Sequence, residues 1–143
     1  MHRLLARVLS LPVITVAALQ GHTFAAGAML SLAHDFRVMR ADRGFWCLPE
    51  AEINIPFTPG MSALIQARLT PQVAHEAMTS ARRYGGQDAL AVAIVDRAVA
   101  EDAVRRAAIE IGQAQAGKAS PTLGTIKARM YAAALDALRN GDT

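Results

Sequence analysis

Apolar residues recur at two periods along this chain, and the switches between them mark out its elements. Leu4, Leu5, Val8 and Leu11 fall at helical spacing with Arg3 and Arg7 off the stripe, which predicts a helix over residues 2–11, ended by Pro12. Residues 13–19 carry β-branched side chains and no charge, the pattern of a buried strand. Gly21 and the small-residue run Ala25-Ala26-Gly27-Ala28 then lead into an apolar helix ending at Asp35. Extended pieces over residues 36–40 and 44–48 follow, separated by the turn Asp42-Arg43-Gly44. Strand, small-residue turn, helix and strand in that succession is the crossover pattern of an α/β protein.

Downstream, the punctuation is regular. Residues 53–58, with Pro56 and the following Pro59, read as irregular. Thr58-Pro59, Thr70-Pro71 and Ser120-Pro121 each set a capping hydroxyl before a proline at the first helical position. They predict helices over residues 59–69, 71–81 and 120–139, the last closed by Gly141. Gly85-Gly86 breaks the chain before a short helix over 87–93, a strand over 94–99, an amphipathic helix over 101–116 and a linker over 117–119. The division this predicts is a core of residues 1–119 and a C-terminal helix within 120–143, packed outward on the body or on a neighbour.

Composition narrows the class. The chain has 143 residues, enough for one domain with a real core, and its 52% hydrophobic against 19% charged residues argues against disorder. A mean hydropathy of +0.21 points to apolar surface buried between subunits. The 15 basic residues are scattered, the net charge is +3, and no dense run marks a nucleic-acid partner; a phosphorylated cofactor fits as well. A single cysteine, Cys47, excludes an internal disulfide and suits a reducing cytoplasm. The basic start followed by uncharged residues 8–19 has the outline of an export leader, with Phe24-Ala25-Ala26 imitating a cleavage site. Pro12 and the change of texture there favour a retained strand instead. The uncharged run also ends short of the ~20 apolar residues of a membrane span.

Two features carry chemistry. Small residues at a helix start let another molecule approach backbone N–H groups that lack helical partners. Glu50, just past an extended piece, is placed to act on whatever those groups hold. Such a pair suits proton transfer beside a thioester carbonyl. Each has a plain alternative: Ala25 to Ala28 could serve close packing, Glu50 could be a solvated acid, and Glu52 competes with it. His22, His34 and His75 show no metal-ligand spacing. Cys47 reads as a small buried hydrophobe, and Arg82, Arg83 and Lys127 do not stand apart from surface charge as phosphate ligands. Phe45, Trp46, Phe57 and Met61 could line an acyl pocket or fill the core.

The stretches PVITVAALQGHTFAAGAMLSLAHDFRVM and FWCLPEAEINI resemble the second half of an enoyl-CoA hydratase/isomerase (crotonase) domain, most of all its Δ3,Δ2-enoyl-CoA isomerase branch. The resemblance runs over residues 4–139. It implies the C-terminal portion of a crotonase-like ββα spiral with C-terminal helices. It further implies an acyl-CoA thioester substrate, with coenzyme A as part of that substrate and no separate cofactor, and a trimer-based homo-oligomer. Ala26 matches the backbone donor to the thioester oxygen, and Glu50, in Pro49-Glu50, matches the proton shuttle. Met29 stands where hydratases carry a second glutamate, and a thioether moves no proton; this favours the isomerase, with a hydratase or another thioester-enolate enzyme as alternative. Met29 itself would be pocket or core filler.

The family's other oxyanion donor and much of its CoA surface belong to a preceding half, so the chain is expected to be a partial domain. One lost donor costs about 2.7–4 kcal/mol of transition-state stabilisation. A non-catalytic remnant that associates with full-length homologues is therefore a further alternative.

Overall fold

In a computed structural model describing residues 1–140, the chain is organised by parallel strand pairing. Helix α1 (His2–Ser10) leads to β1 (Val16–Leu19), β2 (Thr23–Phe24), α2 (Ala26–Ala33), β3 (Phe36–Arg40) and β4 (Trp46–Cys47). Then come α3 (Glu50–Ile53), α4 (Pro59–Arg68), α5 (Pro71–Ser80), α6 (Gly86–Ala91), β5 (Arg97–Val99), α7 (Val104–Gln115), α8 (Pro121–Met130) and α9 (Ala132–Asn140). One sheet has the order β1-β3-β5, all parallel, with Val16 opposite Phe36 and Val38 opposite Arg97. A smaller parallel pair joins β2 to β4, with Thr23 opposite Trp46 and Phe24 opposite Cys47.

Strand alternation divides β3 between two cores. Val38 packs with Val104, Ala107 and Ala108 of α7, while Met39 joins the main core with Leu5, Leu9, Met29, Leu32, Leu64 and Leu135. Helix α9 lies so close to α4 that a Cβ on Gly60 would stand 3.0 Å from Leu138 Cα. At the Asp42-Arg43-Gly44 turn, Gly44 has φ +91°, and a Cβ there would meet Gly21 C at 2.7 Å. All three expected caps form: Thr58, Thr70 and Ser120 hydroxyls accept from Met61, Val73 and Leu123 N–H groups.

Three expectations from the pattern need correction. The strand begins at Val16 rather than residue 13, because the Asp35 carboxylate takes Thr15 N–H (2.8 Å) and the Lys127 ammonium takes Val13 O (3.1 Å). The extended piece at 44–48 shortens to Trp46–Cys47, and Glu50, expected just past it, opens the short helix α3, which stops at Asn54, where φ is +58°. The single helix over 120–139 is two, broken at Tyr131 (φ −109°, ψ 25°), and α9 shares the main core through Ala134, Leu135 and Leu138 rather than packing outward. The closing Gly141 lies outside the described residues. Among the described residues, no helix is long and apolar enough to cross a membrane.

Candidate active site

The pairing of β2 with β4 sets two short segments side by side. Ala25 N–H donates to Cys47 O (3.0 Å), so the chain past Phe24 and the chain past Cys47 leave the same edge of one parallel pair. Ala26 stands two residues beyond β2 and Glu50 three beyond β4. The ends of adjacent parallel strands are where open α/β folds place their ligand sites.

Ala25 makes the turn from strand to helix in one step, at φ 52° and ψ −117°. This left-handed conformation costs a residue with a Cβ about 1–3 kcal/mol. The first helical bond of α2 runs from Met29 N–H to Ala25 O (3.0 Å). The N–H groups of Ala26, Gly27 and Ala28 therefore precede the helical ladder and have no partner within it. The small residues here serve different ends. Ala28 is fully buried and packs in the core, whereas Ala26 is half-buried, Gly27 is exposed, and a Cβ on Gly27 would meet nothing within 4 Å.

Glu50 is 6% exposed, and its Oε1 has no hydrogen-bond partner. Burial pushes its carboxyl above the ordinary value of 4.5, opposed only in part by a backbone N–H of its own helix start. Glu52 is exposed on the same short helix. A buried, unsatisfied carboxylate is costly, and such groups concentrate where a chain does chemistry. The cost has a pH signature. Between 4.5 and the raised folded value, the folded chain holds a proton that the unfolded chain has lost. Stability from this group therefore falls as pH rises through that window and stays lowered above it. Glu50→Gln should unfold at a higher urea concentration than the parent at neutral pH, and the gap should close toward pH 4. Equal midpoints at neutral pH would contradict the burial.

The remaining candidates separate by depth. Met29 (2% exposed) and Trp46 (0%) belong to the main core, so neither lines an open pocket; Phe57 and Met61 are half-buried against it. Phe45 is exposed and stacks on His22 with ring centroids 5.8 Å apart. Cys47 is buried, its thiol donating to Ala81 O. Lys127 is corrected as a phosphate candidate, because it is buried against Asp35 (Nζ to Oδ2, 3.0 Å). Arg82 pairs with Glu76 (2.8 Å), and Arg83 lies over the Phe24 ring. Among the described residues, no cluster of His, Cys, Asp and Glu could hold a metal ion.

A polar cluster at the other end of α2 was missed in the sequence. Arg68 donates to the carbonyls of Leu32, His34 and Asp35, and Arg37 to those of Ser31, His34 and Ile94. These cations complement the negative end of the helix, and they fix its axis. Burial, with the Arg68 charge beside it, lowers the Arg37 pKa to about 10. The visible sign was a charge inside an apolar strand, Phe36-Arg37-Val38-Met39.

The family model described as enoyl-CoA hydratase/isomerase matches residues 1–142. Enoyl-CoA delta isomerase 3 of Arabidopsis thaliana is 36% identical over 132 residues, covering 89% of this chain and 56% of that protein. Carnitinyl-CoA dehydratase of Citrobacter koseri is 31% identical, covering 78% and 42%. The crystal structure of an enoyl-CoA hydratase from Mycobacterium ulcerans superposes with a TM-score of 0.90 at 30% identity, over 98% of this chain and 61% of that one. Human mitochondrial delta3-delta2-enoyl-CoA isomerase superposes with 0.86 at 25% identity, over 96% and 54%. The chain thus spans about half the length of the curated relatives it matches. A family model that accounts for nearly every residue, on the crotonase-like fold these structures share, makes this chain a member of the enoyl-CoA hydratase/isomerase family.

Proposed function

We propose that this chain carries the acid–base centre of an acyl-CoA double-bond isomerase of fatty-acid metabolism, converting 3-enoyl-CoA to 2-enoyl-CoA. Glu50 takes the proton from C2 of the thioester; the electron pair moves into a dienolate; the same carboxyl returns the proton at C4. The oxygen of the dienolate is held by the Ala26 N–H at the start of α2. The observation that carries the reading is the buried Glu50 carboxylate, its Oε1 without a hydrogen-bond partner, beside the strand end that leads into α2. Burial raises the carboxyl above its ordinary value, which makes it a better proton acceptor than an exposed carboxylate. Coenzyme A enters as part of the substrate, and no step calls for a metal.

Met29 favours isomerisation over hydration, since its buried thioether occupies the place of a second carboxylate and activates no water. The reading includes association with further copies or with longer homologues. Ile53, Ile55, Ile126 and Met130 are each more than half exposed, and β1 is an edge strand.

The test offers the chain 3-enoyl-CoA and 2-enoyl-CoA separately. Growth of the conjugated thioester absorbance from the first, with water addition to the second at least tenfold slower, is the expected pattern, the margin set by the roughly 10²–10⁴-fold worth of an acid–base group. Faster hydration would replace the isomerase reading with the hydratase one. No turnover of either would leave the associating, non-catalytic chain as the better account.

A further inference from the structure

Strand β4, which leads to Glu50, and the helix that starts at Ala26 are joined by a buried polar contact. Trp46, four residues before Glu50, is completely buried, and its indole Nε1–H donates to Ser31 Oγ at 2.9 Å. Ser31, on α2 and 2% exposed, passes its own hydroxyl proton to Ala28 O at 2.6 Å. Ala28 is the third residue of that helix, within its first turn. A continuous chain of two hydrogen bonds thus runs from the β4 backbone to the turn that would hold the thioester oxygen. The far side of Trp46 is fixed as well. Its N–H donates to Tyr84 O (2.8 Å), its carbonyl accepts from Tyr84 N–H (2.9 Å), and the two rings meet edge to face at 6.2 Å.

We propose that Trp46 and Ser31 form a strut that sets the distance between Glu50 and the first turn of α2, so that both are positioning residues for proton transfer. The inference rests on Glu50 as the proton carrier. Hydrophobic packing alone would hold the indole without directing it, because dispersion contacts tolerate small rotations and slides. A directional bond inside a core does not. With Ser31 replaced by alanine, the indole N–H has no partner and β4 settles wherever it can be satisfied. A displacement well under 1 Å suffices to matter, since about 1 Å of misplacement costs on the order of 10²-fold in rate.

The experiment compares the parent with Ser31→Ala, Trp46→Phe and the double variant. Three readouts are taken on each: kcat and KM with 3-enoyl-CoA, the urea midpoint, and the titration of the Glu50 carboxyl by carbon-13 NMR. Each single variant should lose about tenfold in kcat, with KM within about twofold of the parent. The double should be no slower than the worse single, because either change already removes the strut. Its urea midpoint should fall by less than the sum of the two single losses, because no buried donor is then left stranded although Trp46→Phe still leaves a cavity. In every variant the Glu50 carboxyl should titrate lower than in the parent, as the side chain gains access to water. Parental kcat in either single, or recovery of kcat together with stability in the double, would overturn the proposal and leave a merely structural contact. If the parent shows no turnover, the isomerase reading fails by itself, and the titration decides the strut: an unchanged Glu50 midpoint in Ser31→Ala overturns it, and a lowered one supports it.

Discussion

Glu50→Gln is expected to cut conversion of 3-enoyl-CoA to 2-enoyl-CoA by about 10³–10⁴-fold, the upper part of the range for a general acid–base group. The amide keeps the shape of the carboxyl and the packing around it but accepts no proton. One group carries both the removal at C2 and the return at C4, so both steps fail together. Binding of the thioester should change little, because it depends on backbone donors and apolar contacts. The loss therefore belongs in kcat, with KM nearly constant. Glu52→Gln is the control, since Glu52 is exposed, and it should cost less than about twofold, far below an acid–base group's share. A damaging Glu52 change beside a harmless Glu50 change would assign the wrong carboxylate. The variant's expected gain in stability makes the test sharper. A slower enzyme that is also harder to unfold has not lost activity by falling apart, and the pairing of the two effects marks a group kept for function at a cost to the fold.

The features of the candidate site that residue types announce are the local ones. A helix start built from Ala25, Ala26 and Gly27 is visible as a run of small residues, and Pro49-Glu50 as a motif after an apolar stretch. Thr-Pro and Ser-Pro pairs gave the three capped helices for the same reason: the hydroxyl bonds to an N–H three residues away. What stayed hidden depends on partners distant in the chain. Nothing near Trp46 says that its indole meets Ser31, fifteen residues earlier, so an aromatic residue just before Pro49-Glu50 reads equally as a pocket wall or as core. Lys127 reads as a helix-surface cation until Asp35, ninety-two positions away, is seen against it. The short strands were overestimated because side chains intercept their backbone groups. Asp35 takes the N–H of Thr15, and β-propensity cannot register that competition. The strain at Ala25 was equally silent, because an alanine at positive φ leaves no mark in composition.

Lys127→Met should produce the largest loss of stability among these changes, about 3–5 kcal/mol by the usual cost of breaking a buried pair. The Lys127 side chain is 2% exposed and that of Asp35 16%, so water replaces little of what is lost. The ammonium bonds both Asp35 Oδ2 (3.0 Å) and Val13 O (3.1 Å). Without it, the half-buried Asp35 keeps only the Thr15 N–H and hydroxyl as donors and loses its direct ion-pair partner. A domain of this size has roughly 5–15 kcal/mol in all, so the variant should show a urea midpoint lowered by about a fifth or more. Lys127→Met with Asp35→Asn should recover part of the loss, because the second change removes the unpaired charge while the asparagine can still accept from Thr15. A drop under about 1 kcal/mol in the single variant would place the pair in the class of exposed ion pairs and refute the buried reading. The location of any loss is also informative. Lys127 is on α8, Val13 leads into β1, and Asp35 follows α2, so this one side chain ties the C-terminal helices to the end of the helix whose first turn is the proposed oxyanion site. If the contact is what holds α8 down, limited proteolysis of Lys127→Met should cut first between residues 116 and 131, before β1 and α2 are lost.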